Sequence, residues 1–132
     1  AHGAIRVRAD TSAGFPCRIS LQDAAPGDEL LLLPFEHQPA NSPYRASGPI
    51  YVRRGSQQAT LAPGELPEYV TGRVISLRAY DDNDMIVDAG VAEGDALRAE
   101  IDRLLRDPRV RYLHLHNAKR GCFSCRVERL DA

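Results

Sequence analysis

Apolar and polar residues alternate with a period of two in short runs along most of this chain, and that pattern admits little except half-buried strands. Ile5 and Val7 alternate with Arg6 and Arg8, and Cys17, Ile19 and Leu21 alternate with Arg18, Ser20 and Gln22. In the run 74–80, Ile75, Leu77 and Ala79 take one face while Ser76, Arg78 and Tyr80 take the other. Asp81-Asp82-Asn83-Asp84 then turns the chain into a strand over 85–91. Glu29 and the four leucines 30–33 read as a strand buried on both faces, ended by Pro34. Two loops flank the strand Ile50–Arg53: residues 38–49, with Pro39, Pro43, Gly48 and Pro49, and residues 54–72, rich in Gly, Pro, Gln and Glu.

Only one stretch carries a helical period. Leu97, Ile101, Leu104 and Leu105 fall at i, i+4, i+7 and i+8, with Asp95 placed to cap the start and Pro108 to stop the end. A strand over 110–117, a turn at 119–121 and a last strand over 122–130 follow. The expected fold is α+β: one domain over 1–132, a mostly antiparallel, barrel-like sheet of about eight strands, and one main helix.

Composition narrows the classes of function. A formal net charge of −1 gives no global attraction to nucleic acid or to an anionic membrane, so neither is an expected partner. No apolar run reaches the ~18 residues of a membrane span and no signal-peptide pattern opens the chain, which leads to the expectation of a cytoplasmic protein. Three cysteines, an odd number, fit a reducing compartment better than a disulfide framework. Of seventeen cationic residues only Lys119 is a lysine. Codon bias accounts for that lopsidedness, as would arginines used as planar forks for carboxylate or phosphate. The first residues, Ala1-His2-Gly3, include no Met, as expected of a truncated or processed N-terminus.

Chemistry concentrates in YLHLHNAKRGCFSCRVE, residues 112–128. On a strand His114 and His116 project from one face, about 7 Å apart, while Leu113 and Leu115 fill the other. Such a pair is half a metal site, with Cys122 or His37 as candidate third ligand; it equally suits a metal-free acid/base or ligand site, or an ordinary polar face. Cys122 and Cys125 stand three apart on an extended segment, so their thiols diverge and do not chelate. Phe123, Cys125 and Val127 read as core, leaving Cys122 beside Ser124 and Arg126 on the other face, a candidate nucleophile if a hairpin brings it to His114 or His116. In the loop 41–49, Tyr44, Arg45 and Ser47 are donors framed by prolines, and Arg45 there can clamp an anion or simply pair with a carboxylate. Asp81, Asp82 and Asp84 lack the spacing of a calcium loop, and no nucleotide, metalloprotease or hydrolase signature occurs. No cofactor is assigned.

The segments GFPCRISLQDA (14–24), SPYRASGPIYV (42–52), SLRAY (76–80) and HLHNAKRGC (114–122) together resemble a bacterial family known as domain of unknown function 1203. Members of that family carry a further N-terminal stretch, which implies that an N-terminal element is missing here. The resemblance implies no activity. It draws attention to Cys17, Arg18, Tyr44, Arg45, Arg78, His114, His116, Asn117 and Cys122, whereas Cys125 is not a dependable family position.

The leading functional expectation is a polar pocket of Arg45, Arg78, His114, His116 and Cys122 for an anionic small molecule. Arg18, Tyr44 and Asn117 assist binding, and His114, His116 and Cys122 are the candidate catalytic groups. A non-catalytic protein-interaction module is the alternative; it expects the histidine face to be flat and solvated. A cupin-like metal-binding protein ranks third, because no Glu follows His116 at the spacing that motif wants. Substrate and oligomeric state stay open.

Overall fold

Two open sheets, not one curled sheet, organise this chain. The computed structural model describes residues 5–9, 16–18, 20–53 and 65–129. The first sheet holds β1 (Ile5–Arg8), β2 (Pro16–Cys17), β3 (Gln22–Asp23), β4 (Glu29–Gln38) and β5 (Ala46–Arg53), in the order β1-β4-β5-β2-β3. The second holds β6 (Ile75–Tyr80), β7 (Ile86–Ala92), β8 (Tyr112–Asn117) and β9 (Phe123–Glu128), in the order β7-β6-β8-β9. All pairings are antiparallel except the parallel bridge of Cys17 to Tyr51. The α+β, antiparallel expectation holds. In place of one barrel-like sheet of about eight strands, the described residues form a five-stranded and a four-stranded sheet and no closed barrel, because alternation specifies the two faces of a strand but not its neighbours.

Between β7 and β8 the main helix α2 (Ala96–Leu105) lays Leu97, Ile101 and Leu104 on the second sheet. They meet Ile75, Leu77 and Ala79 of β6 and Leu113 and Leu115 of β8, the apolar halves of two alternating strands. Asp95 stands at the helix start in helical conformation, and its side chain makes no capping hydrogen bond. A single turn, α1 (Glu68–Thr71), falls in the segment expected to be a loop; residues 54–64 of that loop lie outside the described residues. Among the described residues no helix is long and apolar enough to cross a membrane.

Three local expectations are corrected. The alternating run 17–22 is not one strand: Leu21 takes φ 57° and returns the chain as a tight β2–β3 hairpin pairing Cys17 with Gln22. Ile19 and residues 10–15, which include the Gly14-Phe15 bend, lie outside the described residues, as does Leu130. The leucine strand is not buried on both faces either. Leu30 is sealed, packed with Ala9, Ala24 and Tyr51, but Leu31 is 41% exposed.

The third correction matters most for function. Pro34 does not end β4, which continues to Gln38 and carries His37 with it. Pro34 lies directly opposite Pro49 of β5. Neither residue has an N–H to give, so the pair is tolerated where the ladder asks for none. At that level neither strand has another described neighbour to disappoint. A register shift between Phe35 and Gln38 then bends the ribbon. Its far end lies over the second sheet, on the face opposite α2: His37 stacks on Phe123, Gln38 bonds Tyr112, and Tyr44 meets Tyr80 edge-on.

Candidate metal centre

Alternation along β8 sends Leu113, Leu115 and Asn117 toward the helix side and Tyr112, His114 and His116 to the other. Register adds their neighbours. Tyr80, Arg78 and Ser76 of β6 stand opposite Tyr112, His114 and His116, and Arg126 of β9 stands opposite His114 on its other side. A second register shift, between Leu115 and His116, brings Phe123 opposite His116. That shift corrects the reading of Phe123 as core: Cys125 and Val127 do pack on the apolar cluster, but Phe123 joins the histidine face.

Onto this face β4 lowers His37. The ring of His37 stacks parallel on Phe123 at 5.3 Å and meets His116 and His114 edge-on at 5.0 and 6.3 Å between centroids. His37, His114 and His116 each offer a ring nitrogen such that the three atoms lie within 4.8 Å of one another. The rings of His114 and His116 are sealed between the layers, 2% and 1% exposed, and that of His37 is half-buried. The expectation of a flat, solvated face is therefore not met.

Each of the three histidines has a buried ring nitrogen without a hydrogen-bond partner: Nδ1 of His37, Nδ1 of His114 and Nε2 of His116. For His116 the other nitrogen is accounted for, since Nδ1 lies 2.8 Å from the carbonyl oxygen of Gly121. A carbonyl only accepts, so Nδ1 carries the proton and Nε2 presents a bare lone pair. Gly121 reaches this position with φ 80°, a conformation an L side chain resists.

Burial also decides charge. Desolvation, with the other imidazoles and Arg126 and Arg78 nearby, holds His114 down to about 4. His116 is likewise held to about 4 by desolvation, against the opposing hydrogen bond to Gly121, and His37 is lowered by desolvation and Arg78. All three are neutral at pH 7, the form that binds metal. Beside them, the Tyr112 hydroxyl donates to Asp84 Oδ1 at 2.6 Å and accepts from Gln38 Nε2 at 3.0 Å. Burial and the Asp84 carboxylate push its phenol up to about 12.

The other residues singled out from sequence divide. Arg78 shares the face with both histidines, and Tyr44 touches it through Tyr80 at 6.1 Å. Arg18 holds the carbonyl oxygen of Phe123 through Nε at 2.5 Å. Arg45 is exposed and pairs with Glu36 at 3.1 Å, so it does not line the face. Asn117 falls on the other side of β8, where Oδ1 accepts from Ser124 Oγ. Cys122 stands before β9, its carbonyl taking the Asn117 N–H, and its thiol makes no hydrogen bond to either histidine. Cys125 is partly buried against the core, and the desolvation of its thiol pushes it up to about 11. The five-residue pocket thus reduces to Arg78, His114 and His116. Of the two candidate third ligands, His37 and Cys122, the fold brings His37 to the pair, carried there by the continuation of β4 beyond Pro34.

A family model described as protein of unknown function (DUF1203) matches residues 14–129. The chain belongs to that family. The span common to DUF1203 contains His37, Arg78, His114, His116 and Gly121, the whole of the centre described above. No curated protein and no solved structure matches this DUF1203 chain.

Proposed function

We propose that this protein binds a divalent first-row transition metal through His37, His114 and His116, leaving one coordination position open. The observation that supports this reading is the convergence of three neutral imidazoles, those of His114 and His116 buried and that of His37 half-buried, each with a buried ring nitrogen that has no hydrogen-bond partner. Leaving a buried acceptor unpaired costs on the order of 1–3 kcal/mol, and three such sites together ask for a shared partner. A metal ion satisfies all of them at once. In a tetrahedral zinc site, with Zn–N of about 2.0–2.1 Å, neighbouring nitrogens stand roughly 3.3 Å apart, a modest contraction from the span seen here. The carbonyl of Gly121 supplies the outer-shell acceptor that orients a metal-bound imidazole.

The ligand set also indicates what the ion would do. Among the described residues three nitrogens converge with no fourth His, Cys, Asp or Glu ligand, the pattern of an open site, whereas closed structural sites take four. Imidazole alone suits zinc, copper, iron or nickel. At the open position such an ion polarises an oxygen ligand and brings the pKa of a bound water toward about 7. Metal-free acid/base chemistry by His114 or His116 is less well supported, because a group protonated only near pH 4 is a poor proton donor at neutral pH.

Metal content by mass spectrometry, on protein purified without chelator, tests the reading. Roughly one transition-metal ion per chain is expected, lost in His37→Ala and in the His114→Ala/His116→Ala double variant. Protein that retains no metal, and whose chelator-stripped form gains no thermal stability from added Zn²⁺ or Co²⁺, would overturn it.

A further inference from the structure

We infer that Arg78 makes this centre an oxyanion site, in which one oxygen of a carboxylate or phosphate takes the open metal position and the guanidinium holds another oxygen of the same group. The inference rests on the metal reading above and adds the class of ligand. Arg78 is half-buried directly opposite His114. Among the described residues it makes no hydrogen bond and no ion pair. The other cations near the face are engaged. Arg18 donates to the Phe123 carbonyl, and Arg126 lies over the Tyr112 ring at 4.0 Å while its Nε bonds Glu128 at 2.9 Å. The carboxylate that reaches the face, Asp84, is taken by the Tyr112 hydroxyl. Among the described cations of this face, Arg78 is the guanidinium with neither a hydrogen bond nor an ion pair.

A half-buried cation without a counter-charge is unfavourable by itself, and a divalent ion on the histidines would make it more so. Three neutral imidazoles cancel none of the ion's charge, so two cations would stand near each other in a poorly solvated setting, Arg78 being an electrostatic neighbour of all three rings. An anion between them relieves both. The guanidinium presents parallel N–H donors that match the paired oxygens of carboxylate or phosphate, a geometry a lysine ammonium does not offer. Acid groups of either source share this chemistry.

The test uses the full chain loaded with Co²⁺, whose visible absorption responds to a ligand at the open position. Acetate and inorganic phosphate are titrated in separate arms, with imidazole as a neutral ligand. Saturable spectral changes are expected with both anions. Arg78→Met should weaken both by roughly tenfold or more, leaving imidazole affinity and cobalt stoichiometry unchanged. Which anion binds the parent protein more tightly identifies the source. If Arg78→Met loses cobalt, Arg78→Lys carries the comparison, because it keeps the charge and removes the fork. Weaker anion binding with cobalt retained supports the inference. Anion affinity unchanged within about twofold, or no spectral response in the parent protein, overturns it while leaving the metal reading intact. Absence of cobalt binding in the parent protein overturns both.

Discussion

Gly121 and Tyr112 show how much of the centre hangs on single residues around the three histidines. Gly121 combines φ 80° with a carbonyl that holds the His116 N–H. Alanine at that position meets no steric obstacle beyond its own backbone strain, since nothing lies within 4 Å of an added Cβ. Gly121→Ala should therefore cost about 1 kcal/mol of stability by urea unfolding and, by disturbing the carbonyl, about tenfold or more in metal affinity. Tyr112→Phe removes a hydroxyl that is donor to Asp84 and acceptor from the buried Gln38 amide. It should lower stability by about 1–3 kcal/mol, seen as a reduced thermal midpoint, because Gln38 is left with a buried donor and no acceptor. If Tyr112→Phe unfolds like the parent protein, the hydroxyl chain is not structural.

At the level of elements, β8 serves two layers at once. Leu113 and Leu115 key it to α2 and β6, and His114 and His116 meet β4 on the reverse. Leu115→Ala should cost about 2–5 kcal/mol in denaturant unfolding, the range for a fully buried leucine among packed neighbours. The same strand shows what alternation can tell: the residues on each face of β6 and β8 are those the pattern assigns. It shows equally what alternation hides. Two register shifts, at Phe35–Gln38 and at Leu115–His116, brought His37 and Phe123 to the site, and an extra residue leaves no mark in a hydrophobicity pattern. Pro34 was misleading for a related reason. A proline forbids a ladder hydrogen bond only where one is demanded, and pairing with Pro49 removes the demand.

Across the whole molecule, stacking of the β4–β5 ribbon on the second sheet is what desolvates the histidines, and it ties stability to pH. In the unfolded chain His114 and His116 titrate near 6.5, but in the folded chain only at about 4. The unfolded state then binds more protons between those values, so stability falls as pH drops through that window and is fully present above it. Unfolding of chelator-treated protein should show a loss on the order of a few kcal/mol between pH 6.5 and 4, much reduced in the His114→Ala/His116→Ala variant. A parent protein as stable at pH 4.5 as at pH 7 would contradict the depressed values. Sequence alone determined the strand-rich α+β class, the one main helix, the shared face of His114 and His116 and the burial of Leu113 and Leu115, because each follows from local period and spacing. Only the tertiary structure decided that there are two sheets, that His37 completes a triad while Arg45, Asn117 and Cys122 stand apart from it, and that the imidazoles are neutral. Those outcomes depend on which distant strands meet and how much water they exclude, and no local pattern encodes either.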